Sequence, residues 1–190
     1  KCHGVIIPGG FGIRGIKGMI NASKYCRQNN RPLLGICLGM HIMCIESAQH
    51  IYGETCNSIE FDTNTKHPIV IPISYLRKDK MGGTMKIGLK KTLINKKYNS
   101  ICKDIYSTTE IYKRHRHRYE INPYYINELN KKNILNITGY CNEIPEIIEI
   151  KNHKFFLGCQ YHPEYNSRFL NSHPIFNSFI ESCLLIHHLF

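Results

Sequence analysis

The stretch Leu33-Leu34-Gly35-Ile36-Cys37-Leu38-Gly39-Met40 constrains the fold more than any other part of the chain. A short apolar run ends in Gly-x-Cys-x-Gly, and an apolar helical pattern follows. That order predicts a strand over residues 33–36, a tight turn with Cys37 at its apex, and a helix from Leu38 to about Tyr52. The flanking glycines keep Cβ atoms away from the apex. A thiol there meets the positive end of a helix dipole and unpaired backbone N–H groups, which favour thiolate. The stretch reads as the mount of a nucleophile. Its bland alternative is a core cysteine packed as a small hydrophobe.

Other segments extend the alternation of strand and helix. Gly4 to Ile7 reads as a buried strand that stops at Pro8-Gly9-Gly10, followed by a glycine-rich loop over 11–18. A helical pattern runs from about Met19 to Arg27. Together these predict an α/β domain: a flavodoxin-like, mostly parallel sheet with helices on both faces. The middle of the chain is less regular. Residues 57–66 read as polar loop, and 69–71 as a short strand. Residues 84–89 read as a strand with one face to water, and 90–104 as basic surface. Ile147 to Ile150 and Phe155 to Gln160 read as a hairpin, and a helix closes the chain over about 174–185.

With 190 residues the chain is long enough for one domain with a full core. No apolar run approaches the ~20 residues of a membrane span, so no membrane partner is expected. Nine cysteines in odd number, scattered and without a CxxC pair, predict free thiols and a reducing, cytoplasmic setting. The net charge of +11 raises the question of nucleic acid. No stacking or zinc module accompanies it, and codon bias toward Lys, Asn and Ile accounts for part of it. No nucleic-acid partner is expected.

A cysteine nucleophile needs a base. Gln160-Tyr161-His162-Pro163-Glu164 offers His162 just after a strand, with Glu164 two residues on to orient the imidazole. Alone, a histidine at a strand end reads more readily as structural. Pro8-Gly9-Gly10-Phe11-Gly12 supplies backbone N–H donors suited to an oxyanion. Its alternatives are a plain turn or a phosphate loop. The glycine spacing matches neither standard phosphate-binding pattern.

Taken together and in order, PGGFGIRG, GICLGM, NSIEFD, GGTMKIG, RHRHRYEIN and QYHPE resemble the class I glutamine amidotransferase domain of the CTP synthase family. The resemblance runs from about Gly4 to Phe179. It implies that Cys37 attacks the glutamine side-chain amide to form a thioester, with His162 as base and acid and Glu164 orienting it. It implies an oxyanion hole at Gly10 and Leu38, and places Gly39, Met40, His41 and Tyr119 at the glutamine. Glu60 and Arg118 would hold its amino and carboxylate ends, which suits their charges. No metal or cofactor is implied in this domain. ATP, magnesium and UTP would act in an N-terminal synthetase domain that receives the ammonia. GTP would act as allosteric activator near Phe11, and the full-length enzyme would be a homotetramer.

On this reading residues 1–190 are one amidotransferase domain of a larger two-domain enzyme, without the family's first strand and helix. Two departures stand out. His41 replaces the family's usual glutamine, and the stretch from Ile73 to Met81 is shortened. Arg114 and Arg116 are left open, to nucleotide or to the partner domain. The alternatives are another class I amidotransferase, a glutamyl hydrolase, or a non-catalytic basic binding module on the same fold. Without the other motifs, RHRHR would read as a solvated basic turn or an RNA patch.

Overall fold

The computed structural model describes residues 2–76, 85–96 and 99–187. The elements follow in the order β1 (Val5–Ile7), α1 (Ile16–Gln28), β2 (Leu33–Ile36), α2 (Leu38–Tyr52), β3 (Cys56–Ser58), β4 (His67–Pro72), α3 (Ile73–Leu76) and β5 (Lys86–Ile94). Then come α4 (Ile101–Ile105), β6 (Glu110–His117), β7 (Tyr119–Ile121), α5 (Pro123–Lys131), β8 (Asn136–Cys141), β9 (Ile144–Glu149), β10 (Phe156–Cys159) and α6 (Pro174–His187). Gly82, Gly83 and Thr84 lie outside the described residues, as do residues 77–81 of the stretch read as shortened.

Seven strands form the main sheet in the order β1-β2-β10-β9-β8-β5-β6. Helices cover both of its faces, as the sequence predicts. Successive side chains of a strand point to opposite faces. Leu33 and Phe156 accordingly join the cluster with Met43 of α2 and Ile126 and Leu129 of α5. Their neighbours Leu34, Phe155 and Leu157 join the cluster with Cys102 of α4 and Ile175 and Phe179 of α6. Leu33, Leu34, Phe155 and Phe156 have no exposed surface at all.

Within the main sheet, parallel pairing is confined to β1, β2 and β10. From β10 through β9, β8 and β5 to β6 every pair is antiparallel. The sheet is therefore mixed, because the second half of the chain is built from hairpins and lacks crossover helices. A second sheet of β3, β4 and β7 stands beside it.

α2 begins almost in contact with β1. A Cβ at Gly39 would lie 2.1 Å from the carbonyl oxygen of Ile7. The glycine after the cysteine thus serves close packing of the helix on the sheet, more than clearance around the thiol.

One expectation is corrected. The stretch 90–104 is only partly surface: β5 continues to Ile94, and α4 buries Cys102. The buried Glu149 carboxylate accepts the N–H groups of Ile101 and Cys102 at 2.8 and 2.9 Å, which satisfies the start of α4. β5 has one face to water, as expected, but a charged residue takes the inward place. Lys86 is buried, whereas Ile87 and Leu89 are exposed. The cause is ionic: Lys86 Nζ lies 2.6 Å from Glu146 and 3.1 Å from Glu120, both without exposed surface. RHRHR likewise is no turn. In β6 it buries His115 and His117 and leaves Arg114 and Arg116 outside.

Candidate active site

β2 and β10 are parallel neighbours, with Ile36 opposite Cys159. The residues that follow each strand therefore emerge side by side. Cys37 donates its N–H to the Cys159 carbonyl at 2.7 Å. Its backbone, at φ 52° and ψ −102°, lies in a region side chains rarely adopt. Such a turn costs of order 1–3 kcal/mol and persists only where its surroundings enforce it. Here β2 on one side and the tightly seated first turn of α2 on the other enforce it.

His162 faces this turn. Its Nδ1–H donates to Glu164 Oε1 at 2.5 Å, and its ring stacks on Tyr165 with centroids 4.7 Å apart. The carboxylate fixes the tautomer, which leaves Nε2 for the thiol. Nε2 is buried and has no hydrogen-bond partner of its own. Burial pushes the imidazolium pKa down, but the Cys37 sulfur and the Glu164 carboxylate outweigh it and raise it to about 10. For Glu164, burial pushes upward, and the bond from His162 outweighs it and holds the carboxyl below its ordinary range.

An open cleft of about 370 Å³ exposes this group, lined by residues 8–11, Cys37, His162, Glu164, Tyr165 and Arg116. A Cβ at Gly9 would lie 2.9 Å from His162 Cε1 and 3.5 Å from Cys37 Cβ. Only glycine leaves the space between His162 and Cys37 open.

The other expected site residues are placed as follows. Gly10 and Phe11 line the cleft. Leu38, Gly39 and Met40 are buried in the first turn of α2 and are not among the residues that line the cleft. Glu60 Oε1 accepts the Gly12 N–H at 2.9 Å, which ties it to the glycine-rich loop. Arg118 is exposed between β6 and β7, and Tyr119 is half-buried in β7. Arg116, which the sequence left open, is the arginine that lines the cleft. His41 is buried and turned to Gln160, away from the cleft lining. Gln160 and Tyr165 were missed as site residues. Their one sequence signal is adjacency to His162-Pro163-Glu164.

Behind the site, His115, His117 and Glu146 bring three donor atoms within 4.8 Å of one another. That is close enough for an ion, but the Lys86 ammonium is already the cation of this cluster. All nine cysteines are free thiols. No helix among the described residues is long and apolar enough to cross a membrane.

The family model for class-I glutamine amidotransferases matches residues 1–182. The CTP synthase of Methanococcus maripaludis is 43% identical over 187 residues, 97% of this chain and 34% of the relative. That of Aquifex aeolicus is 44% identical over 96% of this chain and again 34% of the relative. The chain thus spans about a third of the length of these curated relatives. Among solved structures, the glutaminase domain of Trypanosoma brucei CTPS with bound acivicin superposes with TM-score 0.88 and 35% identity, covering 96% of this chain and 71% of that one. A glutamine amidotransferase of Thermotoga maritima, 13% identical with TM-score 0.51 over 84% of this chain and 56% of its own, shares the fold.

Proposed function

The chain belongs to the class-I glutamine amidotransferases, in the branch formed by CTP synthases, and on that premise we propose that it hydrolyses glutamine to supply ammonia for amination of UTP to CTP. The observation that carries the reading is the convergence of Cys37, His162 and Glu164 on one open cleft. The Cys37 thiolate attacks the side-chain carbonyl carbon, and the tetrahedral oxyanion meets the N–H groups of Gly10 and Leu38. The His162 imidazolium protonates the departing nitrogen, so ammonia leaves and a glutamyl thioester remains. His162, now neutral, takes a proton from water, whose oxygen attacks the thioester. Glutamate leaves and the thiolate returns.

Glu60 receives the substrate ammonium and Arg118 its carboxylate. Arg118→Ala is expected to raise KM for glutamine by roughly 30- to 150-fold with little change in kcat, the size of a lost charge-assisted contact. Arg118→Lys restores only part, because it lacks the planar fork. A KM rise confined to Arg116→Ala moves the role to the cleft-lining arginine.

The ammonia is consumed in a synthetase domain of the same protein, where ATP, magnesium and UTP bind. GTP activates from the side of Phe11, and the working enzyme is a cytoplasmic homotetramer. Exposed Phe11, Arg14 and Lys17 give this side a basic, partly apolar surface suited to a nucleotide and a docked domain. The basic test is chemical. Acivicin, bound by the trypanosomal relative, is expected to label Cys37 alone among the nine cysteines. Labelling of several cysteines, or none, favours the binding-module reading.

A further inference from the structure

His41 stands in the first turn and a half of α2, buried to 3% exposure, with its Nε2 2.7 Å from Gln160 Oε1. Gln160 has no exposed surface, and its amide nitrogen lies 3.7 Å from Cys37 Sγ. An amide oxygen only accepts, so the ring must carry its proton on Nε2. That contact fixes which way the amide is turned. Its NH₂ end then donates toward the sulfur. Flipped, Gln160 would set a carbonyl oxygen against the nucleophile, which disfavours negative charge there.

We propose that His41 is a positioning residue for the nucleophile: through Gln160 it holds an N–H donor on the Cys37 sulfur and so favours the thiolate. The proposal rests on Cys37 being the nucleophile, and it replaces the expectation that His41 touches glutamine. The ionisable groups that bear on the sulfur are His162 with Glu164 behind it, the buried Cys159 thiol, and His41 by way of Gln160. His41 itself is kept neutral, because burial lowers its pKa to about 4 despite the bond to Gln160. It therefore acts as a fixed donor across the working pH range.

The test uses the intact protein and reads the rate of Cys37 alkylation by iodoacetamide against pH, without glutamine. His41→Leu is expected to move the midpoint up by about one pH unit, a tenfold loss of thiolate at lower pH. It should lower kcat about tenfold and leave KM nearly unchanged. His41→Gln, whose amide also presents a donor, is expected to restore the midpoint. Gln160→Leu, which leaves His41 in place, should give the same shift and carries the test if His41→Leu does not fold. An unmoved midpoint in either leucine variant overturns the proposal. So does a His41→Gln enzyme as impaired as His41→Leu, or a rise in KM alone, which would make His41 a substrate contact. Alkylation needs no turnover, so a wild-type protein that alkylates at low pH but hydrolyses no glutamine would sink the proposed function and leave this inference standing.

Discussion

Cys37→Ala is expected to abolish glutamine hydrolysis while the protein stays folded. Loss of a covalent nucleophile lowers turnover by roughly four to six orders of magnitude, leaving only what binding and the oxyanion donors contribute. The fold survives because the change removes one sulfur from a turn that backbone packing holds in place. Strain at φ 52° remains with alanine. Cys37→Gly, which relaxes it, is therefore expected to melt at a temperature at least as high as Cys37→Ala. The variant also tests what raises the His162 pKa. His162 titrates near 10 because of Cys37 and Glu164, against 6.5 for a free imidazole. A pKa raised by folding stabilises fully below 6.5, and that contribution is lost as pH rises through about 10. Without the sulfur, NMR titration should find His162 well below its wild-type value. Normal hydrolysis by a contaminant-free variant, or an unmoved His162, would dismiss Cys37 as nucleophile or as partner.

Lys86→Met should be the most destabilising single change away from the cleft, at about 3–5 kcal/mol, the typical cost of leaving a buried charge without its partner. Lys86 lies between Glu120 and Glu146, and neither carboxylate reaches solvent. Burial presses the ammonium toward neutrality, but the two carboxylates outweigh this and raise its pKa. Methionine has nearly the right volume, so the loss is electrostatic more than steric. Denaturant melts give the number directly. Adding Glu146→Gln to Lys86→Met should recover part of it, since one orphaned charge is then gone. If Lys86→Met melts like the wild type, or the second change only worsens it, the cluster is not held by its charges.

The contrast between these two sites shows what a sequence makes visible. Cys37, His162 and Glu164 were legible because each sits in a short signal: glycines around a thiol after an apolar run, and a carboxylate two residues from a histidine. The helix from Leu38 to Tyr52 was legible for the same reason. Lys86 was not. Its strand alternates as a half-exposed strand should, yet the phase is set by two carboxylates 34 and 60 residues away. RHRHR hid its two buried histidines because Glu146, the carboxylate that faces His115, lies in β9, far along the chain. The antiparallel half of the main sheet was hidden too, apart from the β9–β10 hairpin, since strand neighbours are chosen by packing and not by local pattern. His41 was placed at the substrate by resemblance, and its bond to Gln160 was hidden because the two are 119 residues apart.

The pairing of β2 with β10 has a consequence for how this enzyme comes into being. Cys37 and His162 meet only when Leu33 finds Phe156 across more than 120 residues of chain. Closing so long a loop is slow, and its entropy must be met before any contact repays it. On the ribosome, β1, α1, β2 and α2 emerge early and the Cys37 turn has nothing opposite it. The strained apex is held partly by that missing neighbour, through the bond to the Cys159 carbonyl. A chain that ends before β10 therefore carries Cys37 without the His162 and Glu164 that face it in the finished fold.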